Sequence, residues 1–200
     1  GKEPTSAKEE HDATLFMQGN GTFKSQYDGV ATVKVRGNST KGYPKKPWKL
    51  KLDKKTNLCD LNAKSKHWVL LANWNDMSQM RNKLAADFAN AIGGLGMRST
   101  WVGVVFNGVY RGVYQLSEHV RVAEERINVY DWAGVGEEIA DAIAAAEGLS
   151  KNDKKALEAW SETNLSWATS GKMSLKGVDY DCRTYYPDYT NDITGGYVWE

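Results

Sequence analysis

Val33 to Asp53 reads VKVRGNSTKGYPKKPWKLKLD, and both of its ends alternate apolar with cationic residues. Val33 and Val35 stand on one side, Lys34 and Arg36 on the other; Trp48, Leu50 and Leu52 repeat the pattern against Lys49 and Lys51. Period two with one apolar side means half-buried strands, because successive side chains in a strand point to opposite faces. The link from Gly37 to Pro47 is rich in Gly, Asn, Ser, Thr and Pro and reads as a long hairpin loop. Pairing the two strands stacks Lys34, Arg36, Lys49 and Lys51 on one face of a sheet.

Like charges at cross-strand distance repel and cost stability. This stretch carries seven Lys or Arg residues in a 200-residue chain whose net charge is only +1, so the charge is local and no global pull toward nucleic acid or an acidic membrane surface follows. Two explanations stand side by side: a well-solvated basic face, or a seat for something anionic. The loop adds backbone N–H groups, hydroxyls and glycines (Gly37 and Gly42) that let a ligand approach the backbone closely. The Gly-Lys-Ser/Thr ending of a P-loop is absent.

The rest of the chain supplies a mixed α+β pattern. Residues 1–14 are polar and read as a frayed terminus, and Leu15 to Phe23 as a strand and turn through Gly19, Asn20 and Gly21. His67 to Ala72 is a buried strand or helix start. Met80, Leu84, Phe88 and Ile92 then recur at helical spacing, which predicts an amphipathic helix over Met77 to Ile92 with that stripe in the core, and Arg81, Asn82, Lys83 and Asp87 on its polar side. Asn107-Gly108, between Trp101–Phe106 and Tyr110–Leu116, is a strong hairpin signal. From about 134 to 172 the chain turns Ala- and Glu-rich and reads as a two-helix insertion, its second helix opened by Ser150 with Asp153.

The 8 Trp and 10 Tyr fill a core or offer an aromatic platform; Trp48, Trp68, Trp74 and Trp101 sit in patterns that point inward, and Tyr180, Tyr185, Tyr186 and Tyr189 cluster in a loop. That loop holds four Asp residues from Asp179 to Asp192 without EF-hand spacing. His11, His67 and His119 show no metal spacing, and His119 reads as a surface or structural histidine. Cys59 and Cys182 allow one disulfide without requiring it. No apolar run approaches the roughly 20 residues of a membrane helix. The opening Gly1-Lys2-Glu3-Pro4 reads as trimmed and carries no information on compartment; the closing GGYVWE starts a strand pattern and stops, so a longer protein is expected.

Four segments in order, VKVRGNSTKGYPKKPWKLKL, WVLLANWNDMSQMRNKLAADF, VVFNGVYRGVYQLSEHV and GGYVWE, strongly resemble the spore-coat-protein-H-like (CotH) kinase domain, from about Ala31 to Glu200 apart from the helical insertion. The resemblance implies an atypical protein-kinase-like N-lobe, an antiparallel sheet plus one key helix, with a helical insertion and truncated before a full C-lobe. It implies one partial domain over 15–200. It also implies ATP with Mg or Mn, and phosphoryl transfer to Ser or Thr of a protein substrate. A secreted or cell-surface setting with extracellular assembly partners follows from it, without nucleic acid or membrane insertion.

Carried onto this chain, the resemblance has Arg36, Gly37, Asn38, Ser39 and Thr40 cover the phosphates. Lys49 or Lys51 reaches the α- and β-phosphates, and spacing does not choose between them. Asp87 or Glu118, the latter in Tyr114-Gln115-Leu116-Ser117-Glu118, is the acidic partner, and Ser117 to His119 lies against adenine. The family's catalytic and metal-binding aspartates lie beyond the Gly-Gly-Tyr segment, so no metal ligand is assigned here and little activity is expected of this piece alone. The competing class is a non-catalytic extracellular module that binds carbohydrate or protein.

Overall fold

The computed structural model describes residues 3–19, 27–61, 64–123 and 126–193. They fall into two compact units, 1–127 and 128–200, each with its own core.

In the first unit β1 (His11–Met17), β2 (Tyr27–Val35), β3 (Trp48–Thr56), β4 (Ser65–Leu71), β5 (Ser99–Phe106) and β6 (Val109–Glu118) form an antiparallel sheet in the order β1-β2-β3-β4-β6-β5. The alternation in β2 and β3 is realised: Val33, Val35, Trp48, Leu50 and Leu52 are buried together with Trp68, Leu70, Tyr114 and Leu116. Trp48 stacks on Tyr114 at 5.1 Å and meets Phe106 at 5.3 Å. Residues of both edge strands, Ala13, Leu15 and Met17 of β1 and Val102, Val104 and Phe106 of β5, pack on this same cluster, so the sheet curls around it. A cleft of about 310 Å³ separates the two edges.

Part of the expected frayed terminus is ordered structure. His11 to Met17 pairs along its whole length with β2, Pro4 is buried, and Glu3 forms an ion pair with Arg111. His11 on the inward side and Phe16 on the outward side of this edge strand break the period-two signal there. The expected turn lies beyond Gly19, outside the described residues. Asn107 (φ 49°) and Gly108 (φ 79°) make the foreseen tight turn with two left-handed residues. Gly112 (φ 85°) sits beside a register shift at Val104/Val105, a bulge in the hairpin.

The helix is where expectation and structure part. α1 (Arg81–Ala91) exists, but none of its residues is buried. Leu84, Phe88 and Ile92 are 64%, 64% and 69% exposed, and Met80 59%. The partly buried positions are Lys83, Ala86 and Ala89, on the other side. The small side chains let the helix lie close to its neighbour: a Cβ on Gly96 would collide with the carbonyl oxygen of Ala86. The apolar stripe is therefore exposed rather than buried in the core. Trp74, also expected inside, is 50% exposed.

The second unit begins with α2 (Trp132–Glu147) and α3 (Lys151–Thr163), followed by α4 (Trp167–Ser170), the hairpin β7 (Lys172–Leu175) and β8 (Val178–Asp181), and α5 (Cys182–Tyr185). The helical segment thus opens a separate unit instead of interrupting the first sheet. Ser150 accepts from the Asp153 N–H and donates to its carboxylate, which starts α3 as expected. Ile139, Ile143, Leu157, Trp167 and Met173 form its core. Tyr180, Tyr185, Tyr186 and Tyr189 are half-buried against that core. The hydroxyls of Tyr185 and Tyr186 donate to Glu147 and Glu138, and that of Tyr189 to the Trp167 and Ala168 carbonyls, which tethers these three rings to the second unit's own groups. Cys59 and Cys182 are both free thiols.

Candidate functional site

Strand register decides which predicted residues share a face. Lys34 lies opposite Lys49, Lys49 opposite Val69, Val69 opposite Ser117, and Ser117 opposite Ser99. Residues directly opposite in antiparallel strands project to the same side, so this row runs across five strands on the face away from the core. Lys51 shares it one step along, between Thr32 and His67. The predicted basic face is real, and it continues into Ser117 about 10 Å away across the sheet. The next row, Val33, Leu50, Trp68 and Glu118, belongs to the core side.

That alternation removes Glu118 from the lysines. Its carboxylate is buried, takes both the backbone N–H and the guanidinium of Arg98 (2.9 and 2.7 Å), and lies 3.3 Å from Arg126. It ties the start of β5 and the segment after β6 to the end of the sheet. Asp87, the other acidic candidate, is exposed on α1 and paired with Lys83 at 2.7 Å. Neither acts on Lys49. The carboxylate whose charge Lys49 feels is Glu10, just before β1, which itself grips Lys34 at 2.9 Å.

The electrostatics single out Lys49. Burial first, then the cations Lys34, Arg121 and Arg36, pulls its pKa below the usual lysine value, against the opposing pull of Glu10. Lys51 is exposed. Burial also lowers Arg36, whose N–H donates to the Pro47 carbonyl at 3.0 Å and so closes the mouth of the hairpin. Gly37 follows with φ 96°, and a Cβ there would collide with the Thr40 hydroxyl, so the tight start of the loop requires glycine. Asn38 and Ser39 are exposed at its tip, and Thr40–Gly42 forms one turn of 3₁₀ helix. The loop is held down at its far end: Lys45 donates to the Val113 carbonyl and lies 4.3 Å over the Tyr114 ring.

His119 completes the cluster. Burial first, then Lys49, pushes its imidazole down to about 4, with Arg36 and His67 adding to the shift. Its Nδ1 is buried without a hydrogen-bond partner, as is that of His67, whose ring lies 6.2 Å away. Two neutral imidazoles with orphaned nitrogens beside half-buried cations make a face short of anions. Sequence reasoning missed His67; its place opposite Lys51 was legible only from the register.

A polar chain links this face to the helix. Gln115 donates to Ser99 Oγ (2.9 Å) and accepts from Asn73 (3.0 Å), which in turn accepts from Asn82 in the first turn of α1 (2.8 Å). Asp76 accepts from the N–H groups of Ser78 and Arg81, and those bonds, the Arg81 one foremost, hold its carboxyl below the usual range. α1 is thus fixed to the sheet through its entry rather than through its apolar stripe.

A family comparison now has geometry to act on: the model described as CotH kinase protein matches residues 33–174. The chain belongs to the CotH kinase family. The CotH match starts inside β2, takes in the basic hairpin, α1 and the β5–β6 hairpin, and its range includes the helices α2 and α3, which the sequence reading had set apart. The Gly195-Gly196-Tyr197 segment lies outside both that range and the described residues. A search of curated proteins finds no match.

The implied cofactors fit the residues unequally. The Lys49–Arg36–His119 face, with the Gly37 loop beside it, suits a polyphosphate. For a divalent cation, no group of three His, Cys, Asp or Glu side chains comes together among the described residues.

Proposed function

We propose that the first unit is the nucleotide-binding lobe of a kinase-like fold and that it holds the phosphates of ATP for transfer to a protein Ser or Thr. The observation that carries this reading is Lys49, half-buried among Lys34, Arg36 and Arg121 with a neutral His119 beside it. Such a group gains most from an incoming anion, because its charge is already partly stripped of water. Arg36 and the backbone of Gly37 to Thr40 would close over the phosphates. Ser117, in the same row, and His119, two residues on, would flank the base. Phosphoryl transfer asks a protein chiefly for positioning and charge neutralisation, and these residues supply the first half. The metal and its aspartates would come from protein outside the matched motifs, so the chain alone binds nucleotide and turns it over poorly. The setting that fits the family is secreted or cell-surface.

Calorimetric titration with ATP tests this. Binding lost in Lys49→Ala and retained in Lys51→Ala supports it; rapid ATP turnover by this chain alone contradicts the division of labour.

A second reading, a non-catalytic docking module, draws on the exposed stripe Met80, Leu84, Phe88 and Ile92. Contiguous apolar surface of this kind marks interaction sites. It becomes the better account if no nucleotide binds.

A further inference from the structure

The basic face does not stop at Lys51. Beyond it, where β3 ends and β4 begins, a half-open cleft of about 460 Å³ lies against the segment that follows β6. Its walls carry Lys55, Lys64, Lys66, His67, Arg121 and Arg126, and no Asp or Glu. Lys55, Lys66 and Arg121 form no ion pair among the described residues. Lys34, Lys83, Arg98 and Arg111, elsewhere in this unit, each hold a carboxylate. Among the described residues, Glu118 is shared between Arg98 and Arg126, and Asp53, which feels Lys66, is already engaged by Tyr27. Glu124 and Glu125 fall outside the described residues.

The wall is built, not merely charged. The Arg126 side chain is 3% exposed, its guanidinium 4.7 Å over the Trp68 ring. Its segment is closed by Ala123 N–H on the Ile127 carbonyl and Arg126 N–H on the Ala123 carbonyl. His67 lines the cleft with an orphaned Nδ1, and burial first, then Lys49, Arg121 and Lys51, lowers its pKa. Arg121 acts on Lys49 as well, so the cleft and the candidate phosphate face are electrostatically continuous.

We propose that this cleft binds an acidic segment of a protein partner, its carboxylate or phosphoserine side chains held by Lys66, Arg121 and Lys55. Nucleic acid is the poorer match. The charge is confined to one cleft on a chain of net charge +1, and no Trp, Tyr or Phe lines it as a base-stacking platform. On the kinase-like reading above, the same cleft is the acceptor's anchor. It would hold acidic residues while a neighbouring Ser or Thr reaches the phosphates at Lys49, and this second step rests on that reading.

The test is fluorescence anisotropy on the whole chain at low and at physiological salt. The probes are a labelled alternating Glu-Ser peptide, its phosphoserine counterpart and a Gln-Ser control. Both acidic peptides are expected to bind, more weakly as salt rises, and Lys66→Glu with Arg121→Glu to lose roughly tenfold or more. Both residues carry their charge at the surface, so an unchanged thermal midpoint checks the fold; Lys66→Gln with Arg121→Gln should lose a smaller factor in the same direction. A preference for one acidic peptide identifies the anion. Equal binding of the Gln-Ser control, indifference to both double substitutions, or tighter binding of single-stranded DNA than of either acidic peptide would overturn the proposal. Peptide binding at the cleft without ATP binding at Lys49 would leave the cleft standing and remove the kinase-like reading.

Discussion

His119 shows how a single residue ties chemistry to stability. Its folded value of about 4 lies below the ordinary histidine value near 6.5. Through that window the unfolded chain takes a proton that the folded chain refuses, so stability falls as pH drops from about 6.5 to about 4 and gains no further loss from this group below that. His67, also lowered, contributes with the same sign. Denaturant titrations across this range should show the decline, and His119→Gln should flatten it; an unchanged slope in the variant would place the titrating group elsewhere. An anion seated between Lys49 and His119 raises the imidazole again, so ATP binding near pH 6 is expected to take up protons, read from calorimetry in buffers of different ionisation enthalpy. Glu118 makes the opposite case. Glu118→Gln leaves Arg98 and Arg126 without their carboxylate and should cost about 3 kcal/mol or more of stability. Retained nucleotide affinity in the folded fraction would confirm that it is structural.

At the level of elements, strands were legible and the orientation of the helix was not. Period two in β2 and β3 fixes both which face is buried and where the cations go, because a strand has only two sides. Only the end of β1 reads as strand, from Leu15, because polar His11 stands on its inward side and Phe16 on its outward side. For α1 the period of Leu84, Phe88 and Ile92 specified a helix with one apolar side, but amphipathicity says nothing about which neighbour that side meets. The packing contact instead uses Ala86 and Ala89, a weaker pattern hidden beneath the stronger one. Leu84→Ser and Phe88→Ser should each change the stability of this chain by no more than about 0.5 kcal/mol, as exposed sites do. Trp48→Ala, in the stacked core of the sheet, should cost roughly 3–5 kcal/mol. Losses of several kcal/mol at Leu84 or Phe88 in urea titrations would show the stripe to be buried after all.

Across the whole molecule, spaced motifs carried the family resemblance, three of the four lying inside the matched range, while the site depended on register that no single segment displays. Lys49 and Ser117 are far apart in sequence and meet in one row only because β4 lies between β3 and β6. The same topology put Glu118 on the wrong side for a partnership with lysine and brought His67 and Arg121 to the basic face. Two units with separate cores stand where the resemblance implied one partial domain with a helical insertion. The central claim is that this face is a nucleotide seat centred on Lys49. Its most direct measurement is isothermal calorimetry with ATP on the wild-type chain, Lys49→Ala and Lys51→Ala. The account predicts saturable binding to wild type, near-complete loss in Lys49→Ala and a modest loss in Lys51→Ala. Binding that survives Lys49→Ala, or no binding to a folded wild-type chain, would contradict it.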